Sequence, residues 1–142
     1  MGTNVSARSV GIGGVALCVL LSQGPIAAHH SFAAEFDANK PVTLRGVVVK
    51  MEWINPHSWI HLQVKNPDGT VTEWKIEGAA PNGLIRQGWN KNSLPPGTEI
   101  LVEGYLARDG QRRANGRDVT FPDGRKLFVG SSGTGAPVEP PK

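Results

Sequence analysis

From residue 59 to residue 77 the chain alternates apolar and polar residues on either side of a four-residue turn, which leaves little choice but an antiparallel hairpin. Ile60, Leu62 and Val64 occupy one face of the first segment, with Trp59, His61, Gln63 and Lys65 on the other, because successive side chains of a strand point to opposite sides. Asn66-Pro67-Asp68-Gly69 follows. Proline presets a turn φ and glycine accepts a positive one, so Val71 to Glu77 returns as the partner strand. By this parity Ile60, Leu62 and Val64 are core, and His61 is a half-exposed neighbour of Trp59 whose removal costs little.

The preceding segment, Val42 to Ile54, carries a change of phase. Val42 and Leu44 set an even apolar register, whereas Val47, Val49, Met51 and Trp53 continue in the odd one. A switch just after Gly46 predicts a bulge or sharp coil, through which one long strand serves two faces of a closed barrel. Pro81 to Gln87 is a helix of barely two turns, with proline near its start, Leu84 and Ile85 as apolar contacts, and Gly88 as its stop. Leu94-Pro95-Pro96-Gly97 leads into a strand from Glu99 to Ala107, and Arg117 to Phe121 pairs with Lys126 to Val129 about Pro122-Asp123-Gly124-Arg125. Three strands, one short helix, then two or three strands is the element order of a small OB-fold-like Greek-key barrel. The expected class is therefore all-β with one short helix, and an open β-sandwich is the competing architecture.

The N-terminus bounds the domain. Arg8 is the only charge before Glu35, an apolar run extends from Val15 to Leu21, and Ile26-Ala27-Ala28 ends the stretch, the pattern of a cleaved secretory signal over residues 1–28. The run is shorter than the about 20 residues needed to span a bilayer, so no membrane span is expected in the mature chain. His29 becomes the first residue, and the address is periplasmic or secreted. What remains, 114 of the 142 residues, suits one domain over 29–130 and a disordered tail over 131–142, rich in Gly, Ser and Pro. Cys18 is the only cysteine and falls within the signal, so the mature chain uses neither disulfides nor thiolate ligands. Without Arg8, 14 of the 15 Lys and Arg residues face 12 acids. Such a balance gives no argument for nucleic acid, which the exported address also disfavours.

Three stretches carry a resemblance: His29-His30-Ser31-Phe32-Ala33-Ala34-Glu35-Phe36-Asp37, Trp53-Ile54-Asn55-Pro56-His57-Ser58-Trp59, and Gly124-Arg125-Lys126-Leu127-Phe128. The chain resembles an uncharacterised family of small exported proteobacterial proteins and is broadly similar to periplasmic OB-fold proteins. The resemblance implies an exported single β-domain and no particular ligand, since one barrel hosts many. Phe32 and Phe36, four apart, share one side of a short helix or of an extended segment, so the N-terminal segment is expected to dock on the barrel.

Four clusters bear on function. Ser31, Glu35 and Asp37 lie near histidines, yet no nucleophile elbow, phosphate loop or HExxH pattern accompanies them, so no catalytic residue is assigned and a hydrolase is the third choice. His29, His30 and His57 are candidate ligands for copper or zinc, because an N-terminal histidine chelates through its amine and ring. A straight strand separates His57 and His61 by about 13 Å, so they share an ion only if the chain bends at Asn55-Pro56-His57, and the expected site uses His57 without His61. Trp53, Asn55, His57, Trp59 and His61 share odd parity, and a polar-aromatic strip on strands two and three is where OB-folds stack flat ligands. Arg112 and Arg113, in a turn-rich stretch from Arg108 to Arg117, are candidates for an anion or equally a solvated hairpin tip. The expectation is thus a non-catalytic binding or accessory module. Its ligand residues are Trp53, Asn55, Trp59, Arg112 and Arg113, its alternative is a copper- or zinc-binding protein, and its partners are a small ligand, an anionic polymer or a periplasmic protein.

Overall fold

The hairpin forms as its alternation requires. In the computed structural model, which describes residues 1–2, 31–130 and 136–137, β2 (Trp59–Lys65) and β3 (Val71–Glu77) pair antiparallel with Leu62 opposite Trp74. The turn between them is held by side chains. Asn66 donates to the hydroxyls of Thr70 and Thr72, the Asp68 carboxylate accepts from the Thr70 amide, and Gly69 takes φ +86°, a left-handed conformation that favours glycine.

The preceding strand, β1 (Phe36–Glu52), pairs with β4 (Glu99–Ala107) over its first two-thirds and with β2 over the remainder. It carries a bulge between Val48 and Lys50, three residues later than the apolar phase predicts. Leu44, Gly46 and Val48 therefore face inward while Val47 and Val49 are exposed, and only then does Met51 turn toward the core. Gly46 has a different task from a phase switch. A Cβ there would lie 2.4 Å from the Gln63 carbonyl oxygen and 2.8 Å from Leu62 Cγ, so β1 crosses β2 in a contact that only glycine permits.

Closure comes from the far end. β5 (Arg113–Thr120) pairs antiparallel with β4 and parallel with β3, setting Lys75, Ile76 and Glu77 beside Arg113, Ala114 and Asn115. The ring β1–β2–β3–β5–β4 thus returns to β1, which excludes the open sandwich, and β6 (Lys126–Phe128) adds to the outer side of β5. The small all-β barrel holds, with α2 (Pro81–Arg86) between β3 and β4. Leu84 of α2 and the following Trp89 are buried in the same core as Ile60, Leu62 and Ile100, and the Trp89 indole donates to the Phe128 carbonyl at 2.8 Å.

Two expectations need correction. Among the described residues there are two short helices and not one, because Phe32–Glu35 forms a single turn, α1, before β1. The stretch from Arg108 to Arg117 is also no extended loop, since β5 begins at Arg113. Its alternation was hidden because Ala114, Asn115 and Gly116, all buried, are small or polar residues with no apolar signature. Phe32 and Phe36 dock as anticipated, forming with Tyr105 and Ala107 a second cluster, in which Phe32 meets Tyr105 edge-on at 5.5 Å. Among the described residues, no helix is long and apolar enough to cross a membrane.

Candidate functional site

The outer face of β2 and β3 gathers the charged side chains that the barrel interior cannot hold. Register places Glu52 and Glu77 on either side of Trp59, Lys50 and Lys75 on either side of His61, and Arg113 next to Lys75. A shallow depression of about 290 Å³ lies here, lined by Glu52, Ile54, Trp59, Lys75 and Arg113. Ile54 is half exposed, so an apolar edge accompanies the indole.

His61 is not the half-exposed residue that parity suggests. Its side chain is only 6% exposed, its Nδ1 hydrogen bonds with Glu73 Oε1 at 3.1 Å, and its Nε2 lies 3.4 Å from Glu52 Oε2 without hydrogen-bond geometry. The physical reason is cross-strand cover. Long side chains on β1 and β3 fold over a shorter imidazole between them, which strand alternation alone does not reveal. Glu52 is in turn bonded to Lys50, and this bond first, with His61 second, holds its carboxyl below the ordinary value.

Arg113 is similarly engaged. Its guanidinium reaches Asp109 at 2.8 Å and Glu35 at 3.3 Å and lies over the Phe36 ring. Burial works to lower its pKa, but the two carboxylates outweigh it and the net shift is upward. Arg108 donates to the Ala33 carbonyl at 2.9 Å and approaches Asp37 at 3.6 Å. Glu35 and Asp37, which read as possible chemistry beside histidines, are therefore the carboxylate half of a clasp that fastens the N-terminal segment.

The expected aromatic strip is divided in two. Glu52 and Ile54 line the outer depression, whereas the alternate residues Trp53 and Asn55 line a separate cleft of about 490 Å³ beside α2. The chain then bends at Asn55-Pro56 and runs without regular structure to β2, so the parity count restarts and Trp59 emerges on the side of Glu52. Arg112 is exposed and lines neither depression. His57 sits beneath the bend with its Nδ1 3.2 Å from Glu77 Oε1, both side chains largely buried. His29 and His30 lie outside the described residues, among which no group of three or more His, Cys, Asp or Glu side chains converges as a metal site would.

Lys75 and Glu52 are the site residues that sequence reasoning missed. Extending the hairpin register across Asn66-Pro67-Asp68-Gly69 would have set Lys75 opposite His61. Glu52 needed the bulge at Val49, which no residue type announces.

Residues 17–116 match a family of unknown function, DUF6152, and the chain belongs to that family. The match takes in the first two motif stretches and ends before Gly124-Arg125-Lys126-Leu127-Phe128. No curated protein and no solved structure matches the chain.

Proposed function

We propose that this member of the DUF6152 family is an exported, non-catalytic binding module, and that its ligand is an acidic oligosaccharide laid across the outer face of β2 and β3. One observation carries the reading: Trp59 and Ile54 offer an apolar floor in the same depression as the adjacent cations Lys75 and Arg113, on the strands where OB-like barrels take extended ligands. An indole face stacks on the C–H face of a sugar ring as readily as on a base. Lys75 supplies a mobile ammonium for a carboxylate, while Arg113, already bonded to Asp109 and Glu35, holds the wall rigid. The same engagement supports a binding role over chemistry. Glu52 is held by Lys50 and sits beside His61, so the acid nearest the ligand is fixed in its charged form rather than poised to move a proton. The secretory pattern of residues 1–28 supports a periplasmic or secreted address, where acidic sugars are at hand.

The test is titration with oligogalacturonate against neutral maltohexaose, followed by the Trp59 indole N–H resonance. The acidic sugar should shift it and the neutral one should not, and Lys75→Glu should weaken the interaction by roughly tenfold, a favourable contact being replaced by a repulsive one. Binding that survives both Trp59→Ala and Lys75→Glu would place the ligand elsewhere.

A further inference from the structure

The cleft beside α2 is a different kind of place from the outer face. Trp53, Pro81, Ile85 and Trp89 supply its walls, Asn55 and Lys91 stand among its polar lining, and no carboxylate borders it. Its volume of about 490 Å³ falls within the range of about 300–1,000 Å³ typical of small-molecule sites. Trp89 is fixed by its bond to Phe128, and Leu84 anchors α2 in the core, so the rear of the cleft is rigid. Ile85, by contrast, is 60% exposed on the one turn of α2 that rims the opening. An isoleucine so placed leaves most of its apolar surface in water, where a ligand in the cleft would cover it. Trp53 adds a second unmet requirement, because its Nε1 is buried with no hydrogen-bond acceptor among the described residues, a condition that few native donors tolerate.

We infer that this cleft binds a small amphipathic anion, a flat apolar body bearing one carboxylate, as a site separate from the sugar face. The apolar body fills the space between Trp53 and Ile85 and stacks on the indole. The carboxylate is directed to Lys91, the single charge lining the cleft. A cation has no counter-charge in the lining, and a polymer has no second charged contact to extend toward. A single small anion satisfies both the exposed isoleucine and the lone ammonium.

The probe is 2-naphthoate, with 2-naphthalenemethanol as its neutral counterpart, added to the full-length protein while the four indole N–H resonances are followed. Naphthoate should move the Trp53 resonance and leave that of Trp59 in place. Ile85→Asp alters an exposed position and so spares the fold, and it should weaken binding at least about tenfold, as a charge facing an apolar ligand costs well over a kilocalorie. Lys91→Gln should weaken naphthoate roughly two- to fivefold and leave the alcohol unchanged. The inference is overturned if Trp53 does not respond at millimolar naphthoate, if Ile85→Asp binds like the parent, or if the alcohol binds as tightly as the acid. Trp59→Ala, which removes the sugar face, should leave the naphthoate response intact, and loss of that response would mean the two depressions are one site.

Discussion

The barrel interior and the aromatic cluster under the N-terminal segment are both buried, yet they hold the chain in different ways. Leu62, Ile60 and Ile76 enter the interior from neighbouring strands of a ring that every β-strand but β6 helps to close, so the loss of any one is felt by the whole barrel. Phe32 and Phe36 reach their cluster from a single turn of helix and the first residue of β1, fastened by Arg108 and Arg113. The first is a cooperative core, and the second is an attachment. A motif such as Phe32-Ala33-Ala34-Glu35-Phe36-Asp37 can thus look functional while its residues do the work of anchorage.

The largest expected effect separates the two directly. Leu62→Ala removes a side chain with no exposed surface and should cost about 2–5 kcal/mol, a large part of what a domain of this size has in reserve. It should lower the melting temperature of the whole barrel. Phe32→Ala should cost about 1.5–3 kcal/mol, and the loss should be local. Hydrogen exchange would then rise at the amides of residues 32–36 while those of β2 and β3 keep their protection. Global melting by both variants, with β2 exchange rising equally, would make the two regions one core.

His61→Ala comes next and sharpens the contrast on the barrel side. The imidazole is buried and bonded to Glu73, while the carboxylates of Glu52 and Glu73 stay part exposed, so its loss removes packing and one hydrogen bond and should cost about 1–2 kcal/mol by thermal melt. A change near zero would restore the half-exposed residue that strand parity predicts. Acid acts on both regions in the same sense. Glu52 and Asp109 are each held below their ordinary values of 4.5 and 3.8, the first by Lys50 and then His61, the second by the Gln111 amide and then Arg113. A depressed carboxylate stabilises the fold fully above its unfolded value and loses that contribution as pH falls through the folded one. Stability should therefore begin to fall below about pH 4.5 on the barrel face and only below about 3.8 at the clasp. Melts from pH 6 to pH 3 on the parent and on Glu52→Gln, which lacks the first step, check the order.

Much of the barrel was legible because its signals are local. Ile60, Leu62 and Val64 alternate, Asn66 to Gly69 turns, and Pro81 to Gly88 brackets a helix, each within a span shorter than ten residues. The bulge at Val49 was not, because Val47, Val48 and Val49 are one residue type and give no sign of which faces inward. The site was less legible still. Trp59 and Arg113 meet only through the parallel pairing of β3 with β5, across more than fifty residues of chain, and Trp53 parts from Trp59 at a bend that resets the parity. Residue type told which side chains had chemistry to offer; long-range register decided which of them share a surface.

The smallest effect tests whether the clasp is as specific as its distances suggest. Arg112 and Arg113 are adjacent and chemically identical, and from sequence they are interchangeable candidates for an anion. Arg113 holds Asp109 and Glu35 and covers the Phe36 ring, whereas Arg112 is exposed. Asp109 and Glu35 are themselves part exposed, so solvent screens the pairing, and Arg113→Ala should cost only about 1 kcal/mol, with part of that lost from packing on the ring. Its signature is where the loss appears: faster exchange at residues 32–36, the same amides that Phe32→Ala loosens. Arg112→Ala should change stability by less than about 0.5 kcal/mol and leave those amides untouched. If Arg112→Ala loosens the N-terminal segment as much as Arg113→Ala does, the anchorage is a diffuse basic field and not a clasp, and the boundary drawn between attachment and core loses its electrostatic half.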